Sequence, residues 1–402
     1  MRNRDVVRRT SRLVAIVALV FMGVFPAVVQ AQEGAADLAK DLMNTSASVQ
    51  PGDHVVIAGG PHLLALMESL AIEAQIAGAL PTMLLNTDRV VRSFWTEVPE
   101  EYLSQVPEYW EAWLSEVDVW IGLPAIENPR ETFGDIPQER FALGSESNQF
   151  FNDILDSTPI RGVALSAPTE AAALQNGLDF ETYSNMQWAA IEADYTAIAE
   201  RGAALAEKLR NGSEVRITSD RGTDVRFSLT DRIVFIDDGI VTPEEAESGL
   251  FLERWVTLPG GQVFTSVDET SAEGVVVVPR TRCQFQPMTG VQFNLEAGQI
   301  ERFQAEQNAS CYDEMMAPYD APASRMGAFS IGLNPELRVM EDGGADYRPA
   351  DAAGMVWLNF GDNQLLGGEN MTTGGVGFPI VAATVTIDGD VVVEDGALVD
   401  GE

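Results

Sequence analysis

Residues Gly354 to Phe378 read GMVWLNFGDNQLLGGENMTTGGVGF. A short apolar run opens the stretch, two glycine-rich loops follow, and the start of a last strand pair closes it. Seven of these residues are glycine, and almost none of the side chains can do acid–base chemistry. Glycine tolerates positive φ and adds no side chain, so the backbone here can turn tightly and come close to a neighbour. The segments before and after it have the same texture. Val215–Ser219, Val225–Leu229, Gly274–Val278, Val291–Leu295 and Ile300–Gln304 alternate or run apolar between Gly and Asp turns. Glu296-Ala297-Gly298 and Asp388-Gly389-Asp390 read as hairpin turns. This is the pattern of an antiparallel meander.

Upstream the pattern changes. His54–Ala58, Pro81–Leu85, Val117–Leu123 and Ile160–Leu165 read as short strands, and helical segments at Pro61–Ala77 and Trp110–Glu116 lie between them. Pro61 sits at a first helical position, where a missing N–H is harmless, and Gly78 offers a stop. Strands alternating with helices predict a parallel sheet of βαβ units. A single long helix is expected over Phe180–Leu209, closed by Asn211-Gly212. The fold class is therefore an α/β N-terminal domain with a parallel sheet, residues 32–211, followed by an antiparallel β-rich α+β domain, residues 212–402.

The first 31 residues predict an export signal. Five arginines precede an apolar run from Leu13 to Val29, and Val29-Gln30-Ala31 places small residues at a cleavage site. An uncleaved anchor is the alternative, although Pro26 interrupts the run. Its removal leaves 20 basic against 60 acidic residues, a net charge near −40. So acidic a surface repels nucleic acid and anionic lipid. It fits either a cationic ligand or a salty environment that screens self-repulsion. Cys283 and Cys311 are the only cysteines, and in an exported chain an even pair reads as one disulfide. The expected compartment is periplasmic or extracellular, with no membrane span after cleavage.

Few residues carry obvious chemistry. His54 and His62 are the only histidines, one opening a strand and the other in a GGPH turn. That turn could hold an anion on its amides, but it lacks a dinucleotide fingerprint or a P-loop lysine, and a tight turn explains it. Any metal would depend on carboxylates such as Asp224, Asp342, Asp346, Asp362 and Glu369, and no EF-hand spacing joins them.

Six pieces in order resemble the thermophilic-type metallo-aminopeptidases, the family of aminopeptidase T and aminopeptidase S. Gly222-Thr223-Asp224-Val225 is similar to its TDL-type strand, and Leu258-Pro259-Gly260-Gly261-Gln262-Val263-Phe264-Thr265 to its NxPxGEVFT motif. The run from Gly327 to Pro335 is similar to its EfgiGxNP motif, and Gly354–Gly361 to its GxxHIALG strand. Gly367-Gly368-Glu369-Asn370-Met371-Thr372 resembles its GGxNxS loop, and Thr386-Ile387-Asp388-Gly389 its terminal hairpin. The resemblance implies a β-rich catalytic domain with two divalent ions, such as zinc or cobalt, a homodimer, and release of N-terminal amino acids by a metal-bound water.

The departures from that pattern carry the functional expectation. Gln262 and Ala328 stand where the family places metal-binding glutamates, Trp357 stands at its strand histidine, and Gly375 and Gly377 at its closing HxD pair. A family tyrosine has no counterpart near Gln364. Two close divalent ions need several anionic oxygens and imidazoles around them, and these residues supply one neutral amide. The expectation is an aminopeptidase-like protein with no metal cofactor, binding a peptide or small ligand in a remodelled cleft lined by Gln262, Trp357, Asn370, Asp224 and Asp362. The alternatives are a hydrolase with a rebuilt metal site or a metal-free mechanism. Trp357 reads equally well as a packed core residue.

Overall fold

The structure is a computed structural model that describes residues 36–399 apart from 106–108, 145–149, 151–153, 156, 230–231, 284–285 and 342. The expected leader and Asp342 lie outside the described residues.

The first half builds a parallel sheet. Strands β1 (His54–Gly59), β2 (Leu80–Leu85), β3 (Val119–Gly122) and β4 (Arg161–Leu165) are joined by helices, of which α1 (Leu64–Ile76) follows a turn begun by Pro61. Gly78 closes α1 with φ of +86°, a value that only glycine adopts freely. Two helices fill the region expected to hold one. Helix α2 (Phe180–Ile191) ends, and α3 (Tyr195–Asn211) starts afresh. The break is caused by Asp194, whose carboxylate accepts from the Ala197 N–H at 3.1 Å and caps the new helix.

The second half supplies β5 (Glu214–Ser219), β6 (Asp224–Ser228), β7 (Val234–Asp237), β8 (Trp255–Leu258), β9 (Gln262–Ser266), β10 (Glu273–Cys283), β11 (Gln286–Glu296) and β12 (Gln299–Gln304). Helix α4 (Ala309–Met316) precedes β13 (Met326–Gly332), β14 (Val356–Gly361), β15 (Gly375–Ile380), β16 (Ala383–Ile387), β17 (Asp390–Glu394) and β18 (Ala397–Leu398). Both expected hairpin turns form, with Ala297 and Gly298 at φ of 48° and 76°, and Asp388 and Gly389 at 50° and 95°. Left-handed pairs of this kind match the twist of the flanking strands.

Three sheets result. The first is β2-β1-β3-β4-β8 and is parallel throughout, so its fifth strand comes from beyond residue 211. At that seam Trp255 lies flat on Gly162, where an added Cβ would sit 1.9 Å from the indole. The second is β12-β11-β10-β6-β5-β16-β17-β18, and the third is β15-β14-β13-β9-β7. Every described pairing in these two is antiparallel. Their inner faces share one core, built on Phe227, Phe293, Phe329, Leu358 and Phe378, against which α3 packs Ile198, Leu205 and Leu209. A disulfide joins Cys283 at the end of β10 to Cys311 in α4.

Candidate functional site

Strand register decides where the family's ligand positions fall. In the third sheet Ser266 faces Ala328, Ala328 faces Asn359, and Asn359 faces Gly377. Trp357 faces Ser330 and Pro379, Gly375 faces Gly361, and Gln262 faces Gly332 on one side and Asp237 on the other. Side chains alternate between the two sides of a sheet. Val263, Ile331, Val356, Leu358 and Phe378 therefore point into the shared core. Gln262, Ala328, Trp357, Gly375 and Gly377 all lie on the opposite, outer face. They do not meet at one point, because Gly332, opposite Gln262, is four residues from Ala328, ~13 Å along the strand.

Trp357 lies between them and fills the space. Its indole packs against a buried cluster of Ala190 from α2, Leu337 and Ala352 from the long excursion that links β13 to β14, and Met355. A Cβ added at Gly377 would lie 3.1 Å from its Cε3 and 3.0 Å from the Asn359 Oδ1. One at Gly375 would lie 2.3 Å from the Phe360 carbonyl oxygen. The ring thus lies where a side chain at Gly377 would project, whereas a side chain at Gly375 would meet the backbone of β14. Its Nε1 is shut off from solvent without a hydrogen-bond partner.

The other sequence candidates are spread over the molecule. Asn370 is buried, and its side-chain amide donates to the carbonyls of Pro322 and Gly361, so it ties a loop down. The neighbouring Asn363 donates to Glu269 at 2.8 Å and to the Gly327 carbonyl at 2.9 Å, and the Glu369 N–H donates to the same Glu269 oxygen. Burial would raise the Glu269 carboxyl, but those bonds hold it below its ordinary range. Asp362 accepts from the N–H groups of Gln364 and Thr372 in the same loop. Asp224 belongs to the second sheet, where Arg216 grips it bidentately at 2.9 and 2.8 Å. Asp346 pairs with Arg282 and Arg348. His54 is satisfied by Glu116 and Thr82, while both ring nitrogens of His62 are enclosed and unpaired.

Two acids that the motifs did not mark converge near Gln262. Asp237, its cross-strand neighbour, is buried and accepts from the Thr257 N–H at 3.1 Å. Asp351 sits in the excursion, whose backbone lies on Gly332, and its Oδ1 is enclosed and unpaired. Burial pushes Asp237 up to about 7. Burial and the charge of Asp237 push Asp351 up to about 8. Neither follows from local sequence, since they are more than a hundred residues apart.

The comparisons with known proteins fit this geometry. The model of the thermophilic metalloprotease (M29) family matches residues 31–339. The chain belongs to that family. None of the curated proteins matches it. Among solved structures it is similar to wild-type AmpT from Thermus thermophilus, with a TM-score of 0.71 and 17% identity over 92% of this chain and 100% of that one. It is also similar to 2,5-dihydroxypyridine dioxygenase from Pseudomonas putida KT2440, with a TM-score of 0.59 and 16% identity over 92% and 98%. At such identities the two likenesses establish the fold. Against the two-ion chemistry that the family resemblance implies, the donor set does not fit. The five positions offer one amide, the indole lies against Gly377, and among the described residues no group of three or more His, Cys, Asp or Glu could hold a metal ion.

Proposed function

We propose that this member of the M29 family is exported, does not hydrolyse peptides through bound metal ions, and captures a peptide or small organic ligand beside the outer face of its third sheet. One observation carries the reading: Trp357 lies over Gly377 inside an apolar cluster, at the positions where the family resemblance places an imidazole and a carboxylate. An indole cannot ligate a divalent ion, and glycine offers no donor at all. Export is supported by the Cys283–Cys311 bond, which suits an oxidising compartment. Among the described residues no helix is long and apolar enough to cross a membrane. Elemental analysis of protein purified without chelator, with a panel of aminoacyl p-nitroanilides, tests the catalytic part. The expected result is sub-stoichiometric metal and no turnover. Tightly held zinc, cobalt or manganese with chelator-sensitive turnover would refute it.

A second reading, hydrolysis without metal, is favoured by one feature, the Asp237 and Asp351 pair with carboxyls raised toward neutral pH. A pair able to hold and release a proton near pH 7 is what general acid–base chemistry requires. Turnover that survives chelation and disappears in Asp351→Asn would establish it.

A further inference from the structure

A groove of about 360 Å³ lies between α3 and the C-terminal hairpin, away from the face described above. One flank of α3 lines it with Ala197, Arg201, Ala204, Leu205 and Lys208, and Val392, Leu398 and Val399 form the opposite wall. The volume is at the small end of the range of ligand pockets. Its charge is unusual for this molecule. The chain has 61 acidic residues, 25 basic ones and only two lysines, yet Arg201 and Lys208 both border this groove and, among the described residues, Glu200 is its one acid. Elsewhere arginines are commonly neutralised, as Arg161 is by Asp53, Arg216 by Asp224 and Arg232 by Glu269. Neither Arg201 nor Lys208 pairs with a carboxylate among the described residues. Arg201 donates to the Leu333 carbonyl at 3.3 Å.

A lysine in the last turn of a helix can be explained by the helix dipole. Arg210 already serves that end, donating to the Val234 carbonyl. Arg201 lies mid-helix, where the dipole gives it no role. Two cations at the rim of an apolar wall match a ligand with an apolar body and one anionic head. The apolar part gains by leaving water, and the head by charge-assisted hydrogen bonds.

We propose that this groove binds a small amphiphilic monoanion of the medium-chain carboxylate class, the tail against Leu205, Val392 and Leu398 and the carboxylate between Arg201 and Lys208. The inference is independent of the reading of the third sheet. Decanoate displacing the fluorescent anion 8-anilinonaphthalene-1-sulfonate from the purified protein tests it, with decanol as the uncharged control. Saturable one-to-one displacement by decanoate is expected, with decanol weaker. Lys208→Glu should weaken decanoate about ten-fold, the loss of one charge-assisted contact. Ala204→Phe, at an exposed helix position, should block the groove while near-ultraviolet circular dichroism stays native. Equal affinities for wild type and both variants, equal affinities for decanoate and decanol, or no saturable displacement would overturn the proposal.

Discussion

Replacing Asp351 by asparagine should remove a pH dependence of stability that the native fold carries. The carboxyl rises from an ordinary 3.8 to about 8 because it is buried and faces Asp237. The folded state therefore holds a proton that the unfolded chain releases. Stability linked to this group is intact below the ordinary carboxylate range and falls as pH climbs through the folded value. At ~1.4 kcal/mol per decade, ionising Asp351 in place would cost a ceiling of ~6 kcal/mol. Water entering around the excursion reduces the observable loss to roughly 2–3 kcal/mol. The amide of the Asp351→Asn variant keeps the shape and removes the charge. Urea unfolding at pH 5.5 should find the two proteins within about 1 kcal/mol, and at pH 9 the variant should be the more stable by roughly 2–3 kcal/mol. Asp237 is held up to about 7 chiefly by burial, so most of its rise should persist in the variant. The other groups near the pair titrate alike in both proteins and cancel in the difference between them. Tyr195 and Tyr347 are pushed further above their ordinary range by burial, and Asp238 reaches only about 6. Parallel stability curves for wild type and variant from pH 5.5 to 9 would refute the account of the buried pair.

Three further outcomes test the packing. Gly377→Asp should destabilise by about 1–3 kcal/mol because its Cβ meets Trp357. Combined with Trp357→Ala it should be less than additive by at least ~0.5 kcal/mol in urea midpoints, and additivity would mean that the ring is not the obstacle. Reducing Cys283–Cys311 releases a closed loop of sequence separation 28, and the unfolding free energy should fall by about 3–4 kcal/mol in urea titrations with and without reductant. Arg161→Ala should cost roughly 2–4 kcal/mol by chemical denaturation, because it leaves Asp53, at 13% exposure, without its cationic partner and holding only the Gln50 N–H.

How much could be read in advance depended on how local the cause was. Strands β1 to β4 lie near their expected places because β-branched runs end at Gly and Pro, and those signals act within a few residues. The hairpin at Glu296-Ala297-Gly298 was legible for the same reason. The break in the long helix was missed although its signal was present, since Asp194 is an ordinary N-cap within an Ala- and Glu-rich run. Strand β8 has only four residues, and its place beside β4 depends on Gly162 accepting the Trp255 ring, a contact that pattern reading cannot anticipate. The candidate site divided in the same way. Gln262, Ala328, Trp357, Gly375 and Gly377 are found by motif order, and the register puts all of them on one face. Asp224 lies within one of the family-like motifs and Asp362 beside another, and each is engaged where it stands. Asp237 and Asp351 meet only through tertiary structure.

On the reading proposed above, the residues at the outer-face positions are coupled, and this bears on how such a frame would keep its shape without metal ligands. Register and twist of the third sheet are set by its inner residues, Val263, Ile331, Val356, Leu358 and Phe378, which the ligand positions never touch. Changing the outer face therefore leaves the strand order intact. Small residues on β15 leave space that a close-packed interior must fill. The ring of Trp357 takes up that space, and a side chain at Gly377 then meets it at 3.1 Å. Each change fits the other, a large residue facing small ones. Histidine at position 357 alone would leave a cavity against Ala190, Leu337 and Ala352, and aspartate at position 377 alone would strike the indole. No single reversion recovers even one pair of ligands. The arrangement is stable as it stands because the apolar cluster provides the packing that bound cations and their ligands would have to replace together.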